Sequence, residues 1–168
     1  MRPTVLVFGY GNPGRLDDGL GPALARALGE QELGAGVRLE TGYQLQIEDA
    51  ALVAEHDVVV FADADVACAE PFELRALRPR REASFSTHSL APEAVLALAH
   101  EHLGARTRGF VLGIRGYHFD DYGERLSPAA ERNLELASAF VARALRDGHL
   151  ASGWPCTAPG GETHGRGD

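Results

Sequence analysis

The chain has 168 residues, 45% of them hydrophobic, and a formal net charge of -8 with a pI near 5.3. That length reads as one domain able to bury roughly 68–70% of its unfolded surface without disulfide or metal staples. The acidic balance argues against nucleic acid or an anionic membrane as partner, because both demand a basic face, and it permits cations or basic protein segments.

Valine-rich apolar runs alternate with helical patterns along the chain. Thr4–Phe8 reads as a strand, followed by a helix that starts between Asp18 and Pro22 and ends near Leu28. Pro22 is tolerated there only in the first helical turn. Val37–Glu40 reads as a short strand and Gln46–Glu55 as a helix. Asp57–Ala62 is a near-continuous apolar run, the mark of a central strand covered on both faces. Glu73–Leu77 fits an edge strand. Ala91–Leu103 fits a helix with Pro92 at its start and Gly104 at its end, and Phe110–Ile114 a further strand. Ser127–Leu145 is the longest helix, with Ser127 as N-cap and Pro128 at the first position. The alternation predicts an α/β fold: a three-layer sandwich, with a twisted, mostly parallel sheet and helices on both faces. A single domain is expected over residues 1–146. The Gly-, Pro- and Ser-rich stretch 147–168 is expected to be a disordered tail.

Cys68 and Cys156 form no C-x-x-C pair and read as free thiols in a reducing compartment. The N-terminus passes directly from MRP into a strand, with no signal-peptide pattern, and no run approaches the roughly 20 apolar residues of a membrane span. The expected location is the cytoplasm. Oligomeric state is not legible.

The most informative segment is VLVFGYGNPGRLDDGLG, Val5 to Gly21: an apolar strand, a glycine-rich loop and two adjacent carboxylates, Asp17 and Asp18. Gly9, Gly11 and Gly14 fit G-x-G-x-x-G, and Glu40 ends the next strand, where a dinucleotide-binding fold places its ribose carboxylate. Against a nucleotide, Pro13 removes a loop amide, the helix starts several residues late, and two carboxylates occupy the helix N-terminus where pyrophosphate would dock. Like charges there favour a cation instead. One of the pair, Asp17, is expected to cap its helix, which leaves Asp18 for the site. VVVFADA brings Asp63 to the end of a buried strand. It reads either as a loop aspartate bonding nearby amides or as a second carboxylate at the same rim, since ligands of such sheets bind beyond the strand C-termini. STHSL presents His88, and His118 in GYHFDDYGE is a reserve. Two carboxylates and an imidazole suit a divalent metal. The sequence has no G-x-S-x-G elbow and no H-E-x-x-H helix, which disfavours ordinary serine and zincin peptidases.

Taken together, these residues resemble the hydrogenase maturation endopeptidases over nearly all of Met1 to about Leu145. GYGNPGRLDDGLG resembles the family's loop G-x-G-N-x-x-x-x-D-(D/E)-x-x-G. VVVFADA is similar to its strand with a terminal aspartate, THSLAPEAVLALA to its histidine-led helix entrance, and GFVLGI with GERLSPAAE to its last strand and final helix. The resemblance implies a largely parallel sheet between helices. It also implies an endopeptidase that removes the C-terminal peptide of a nickel-loaded nickel–iron hydrogenase large-subunit precursor. The family's nickel-contacting residues fall on Asp18, Asp63 and His88. The nickel is borne by the substrate, and another divalent metal could stand in for it. Many relatives have glutamate where Asp18 stands, and a D-G-G-T-type segment where this chain has ETGYQLQIED. Glu40 and Gly42 match that segment's acid and glycine, whereas Tyr43 and Gln44 differ. Asn12, Gly42, Tyr43 and Gln44 are accordingly expected at the substrate groove, and Asp18 or Glu40 as general base. A non-catalytic checkpoint that binds the loaded precursor would use the same residues, and a dinucleotide-binding oxidoreductase is the third reading.

Overall fold

A computed structural model of the chain describes residues 2–81 and 90–149. His88, Cys156 and the expected tail beyond residue 149 lie outside the described residues. The elements run β1 (Val5–Tyr10), a 3-10 turn (Leu16–Gly19), α1 (Leu20–Gly29), β2 (Val37–Gly42), α2 (Asp49–Ala54), β3 (Val58–Asp65), β4 (Phe72–Leu77), α3 (Pro92–Leu103), β5 (Arg108–Arg115) and α4 (Pro128–Asp147). The five strands form one sheet in the order β2-β1-β3-β5-β4. All pairings are parallel except that of β4 with β5, so β4 closes one edge antiparallel.

Period-two alternation divides the sheet's side chains between two cores. Val5, Val7, Val58 and Val60 pack with Leu24 of α1 and Val141 of α4. Leu6, Phe8, Val59 and Phe61 pack on the other face with Val53 of α2 and Val95 of α3. This is the three-layer α/β arrangement expected from the alternation of elements. Val58 to Ala62 are fully buried, as a central strand covered on both faces demands.

Two boundaries differ from expectation. β3 runs on to Asp65 because Asp63, Ala64 and Asp65 stay paired with Gly113, Ile114 and Arg115 of the equally long β5, so Asp63 lies within the strand. The helix expected from Gln46 begins at Asp49, because the preceding turn is closed by i+3 bonds. Asp49 N–H donates to the Gln46 carbonyl at 3.1 Å, and the Asp49 carboxylate accepts from Gln46 N–H at 2.7 Å. Ser127 caps α4 as expected, its hydroxyl accepting from Ala130 N–H at 3.3 Å.

Candidate active site

The loop after β1 is shaped by its own polar groups and by close backbone packing. Asn12 N–H donates to Asp18 Oδ2 at 2.9 Å, and Gly14 N–H donates to Asn12 Oδ1 at 2.9 Å. The Asn12 side chain is therefore turned into the loop. Gly11 sits at φ +141°, and a side chain there would overlap the Asp18 carbonyl. Gly9 and Gly21 meet face to face: a Cβ on Gly9 would strike the Gly21 carbonyl, and one on Gly21 the carbonyls of Tyr10 and Ala62. The glycines thus let α1 approach β1 and β3 closely, and a carboxylate takes a loop amide that a phosphate would need.

Asp17 does not cap its own helix; neither the 3-10 turn nor α1 has a side-chain cap. Fully buried, it reaches across to the segment before α4. Its Oδ2 accepts from Tyr117 N–H at 2.8 Å, His118 N–H at 3.0 Å and the Ser127 hydroxyl at 2.8 Å, while Oδ1 accepts from Ser127 N–H at 2.7 Å. Burial alone would raise its carboxyl, but these bonds outweigh it and hold the group below its ordinary value. The carboxylate binds the N-terminus of a different helix, which a sequence-local capping argument cannot see.

Asp18 and Asp63 are brought together at the C-terminal rim of the sheet, closely enough that the Asp18 charge disfavours ionisation of Asp63. Burial is the larger cause, and together with the Asp18 charge it pushes the Asp63 carboxyl up to about 6, against the opposing Ala64 N–H and Tyr10 hydroxyl. Tyr10 is the partner that the sequence reading missed. The β1–β3 register pairs Gly9 with Ala62, which sets Tyr10 beside Asp63 on one face, and the Tyr10 hydroxyl hydrogen-bonds that carboxylate. Burial and the Asp63 charge both raise the phenol. The signal available in the sequence was a tyrosine between two glycines at the end of a buried strand.

Among the described residues, neither Asp18 nor Asp63 forms a salt bridge, and no three His, Cys, Asp or Glu side chains gather as a metal-binding group. Glu40 lies on the edge strand β2, where its carboxylate pairs with Arg38 at 2.9 Å. His118 lends its backbone N–H to Asp17. An open groove of about 340 Å³ runs beside the loop, lined by Gly11, Pro13, Pro22, Thr41, Gly42 and Tyr43. Two of the residues expected at a substrate groove, Gly42 and Tyr43, line it; Gln44 is the next residue along, exposed to solvent. No helix among the described residues is long and apolar enough to cross a membrane.

No protein-family model matches the sequence, and no curated protein matches it. Solved structures do. The nickel–iron hydrogenase maturation protease HycI from Thermococcus kodakarensis KOD1 aligns with a TM-score of 0.67 and 23% identity, covering 86% of this chain and 94% of that one. The hydrogenase maturating endopeptidase HybD from E. coli aligns at 0.64 and 22%, covering 86% and 93%. A hydrogenase 2 maturation peptidase from Thaumarchaeota archaeon SCGC_AB-539-E09 aligns at 0.63 and 23%, covering 84% and 97%. The chain has the fold of these hydrogenase maturation proteases.

Proposed function

We propose that this chain is a cytoplasmic endopeptidase that removes the C-terminal peptide of a nickel-loaded nickel–iron hydrogenase large-subunit precursor. The observation that carries the reading is the pairing of Asp18 and Asp63 at the strand C-termini, on the fold of proteases that mature hydrogenases. The Asp18 charge opposes ionisation of the Asp63 carboxyl, and a cation bound between them relieves that repulsion. The nickel is the substrate's own. Asp18 and Asp63 would contact it through oxygen and His88 through nitrogen, a donor set suited to a divalent metal. Three ligands leave further positions to the precursor, so free enzyme holds the metal weakly.

The bound metal docks the precursor and orients its C-terminal peptide bond. Asn12 N–H holds Oδ2 of Asp18 at 2.9 Å, which leaves Oδ1 for the substrate side. Where Asp63 and His88 hold the nickel, Asp18 Oδ1 is free to act instead as general base for the attacking water. Glu40 is a poorer choice, because its carboxylate is already paired with Arg38 on the edge strand. Tyr43 and Gly42 line the groove through which the substrate chain would run.

The test is the intact mass of the large-subunit precursor after incubation with this protein. It is run with and without nickel, beside Asp18→Ala and His88→Ala. Loss of a C-terminal peptide only with nickel and wild-type protein supports the endopeptidase. An unchanged mass despite complex formation would assign the checkpoint role instead.

A further inference from the structure

Six large apolar side chains stand more than half exposed among the described residues: Tyr43, Ile47, Val66, Leu103, Tyr122 and Leu136. Four of them, Tyr43, Ile47, Val66 and Tyr122, lie in segments that follow the C-terminal ends of β2, β3 and β5. That is the rim of Asp18 and Asp63. Leu103 ends α3, and Leu136 is on α4.

The two tyrosines flank the acidic loop. On one side Gly11 N–H donates to the Gly42 carbonyl at 3.0 Å, next to Tyr43. On the other, Gly123 N–H donates to the Gly14 carbonyl at 2.8 Å and Leu16 N–H to the Gly123 carbonyl at 2.9 Å, next to Tyr122. The Arg15 guanidinium lies 5.8 Å from the centre of the Tyr122 ring. Tyr43 and Tyr122 are 74% and 82% exposed, and the glycine beside each, Gly42 and Gly123, is hydrogen-bonded to the same loop. Tyrosines have few rotatable bonds, lose little entropy on contact and are enriched where proteins bind one another.

We infer that this rim is a docking surface for the folded body of a protein substrate, with Tyr43 and Tyr122 as anchors on either side of the Asp18–Asp63 pair. The inference rests on the endopeptidase reading and deepens it. A peptide lying in the groove beside Tyr43 does not account for Tyr122, which stands across the loop. A folded surface spans both. Charge complementarity names its centre: two carboxylates without a salt bridge among the described residues meet a cationic site on the partner, and the apolar rim seals water from around it.

The experiment measures the kinetics of cleavage of full-length nickel-loaded precursor. The enzymes are wild type, Tyr122→Ser, the Tyr43→Ser/Tyr122→Ser pair, and Leu136→Ser as a control on the far helix. We expect the double variant to raise KM for the precursor tenfold or more with kcat within twofold. Tyr122→Ser alone should raise KM for the precursor by a smaller factor, and Leu136→Ser should leave both KM and kcat unchanged. Wild-type cleavage with KM unmoved in both tyrosine variants overturns the docking surface and leaves the endopeptidase standing. A wild-type protein that neither binds nor cleaves the precursor overturns both. Self-association that the double variant abolishes would give the surface to a second copy of this chain and overturn the inference.

Discussion

Replacing Asp63 by asparagine should stabilise this protein and silence it. Asparagine keeps the size of the side chain and an oxygen to accept the Tyr10 hydroxyl, but carries no charge. Raising the Asp63 carboxyl from 3.8 to about 6 is a hundredfold gain in proton affinity, or about 3 kcal/mol against the ionised form in the folded chain. The sign follows from proton counting. The folded chain binds this proton more tightly than the unfolded one, so stability falls as pH rises through the window between 3.8 and about 6. Above it, the wild type carries the full penalty and the asparagine variant none. With local relaxation the expected gain is about 1–3 kcal/mol at about pH 8, or roughly 3–10 °C in Tm for a chain of this size. At about pH 4.5 the folded chain keeps this proton while the unfolded chain has mostly lost it, so the gap narrows to roughly a third, and it closes only below 3.8. Denaturant melts of both proteins at the two pH values measure this directly. A variant less stable at the higher pH, or a gap of the same size at both, would refute the reasoning. On the proposed function, processing of the precursor by the variant should fall at least a hundredfold, since the lost charge is one of those proposed to meet the substrate's cation.

Asp17→Ala should destabilise by about 2–4 kcal/mol, because it strands three part-buried backbone donors and a hydroxyl at once. As the carboxyl is depressed in the folded state, its contribution is present above an ordinary aspartate value of 3.8 and fades as pH falls below it; acid titration of the melts shows the trend. Ser127→Ala removes both the cap of α4 and one donor to Asp17, for about 1–2 kcal/mol by chemical denaturation. Gly21→Ala places a methyl group against the Tyr10 and Ala62 carbonyls and should push α1 off the sheet, costing more than about 2 kcal/mol and lowering processing. Nucleotide should leave the protein's melting temperature unchanged, since the Asp18 carboxylate already binds the Asn12 amide in the loop.

Local patterns in the sequence were enough for most of the fold. The run Val58–Ala62 announces a strand buried on both faces, and Ser127 with Pro128 announces the start of α4, because both signals are complete within a few residues. The same holds for Asp18, whose place at the rim follows from strand, loop and helix in succession. Asp17 and Tyr10 were not legible for a common reason: their partners are fixed by tertiary packing. Asp17 bonds residues 100 and 110 positions away, and local capping is the only use a sequence window offers it. Tyr10 needs the β1–β3 register, which sets it beside a residue 53 positions on, as Gly9 is set beside Ala62. The length of β3 escaped for a similar reason, since its last three residues are polar or small and are held only by β5.

The bonds from Ser127 to Asp17 also set an order of events in the cell. The loop carrying Asp18 takes its final shape only against a segment 110 residues downstream. A chain still on the ribosome has no such partner until Ser127 has emerged. The acidic loop is thus braced by a segment made long after it, and a nascent or truncated chain carries the loop without the brace that sets it.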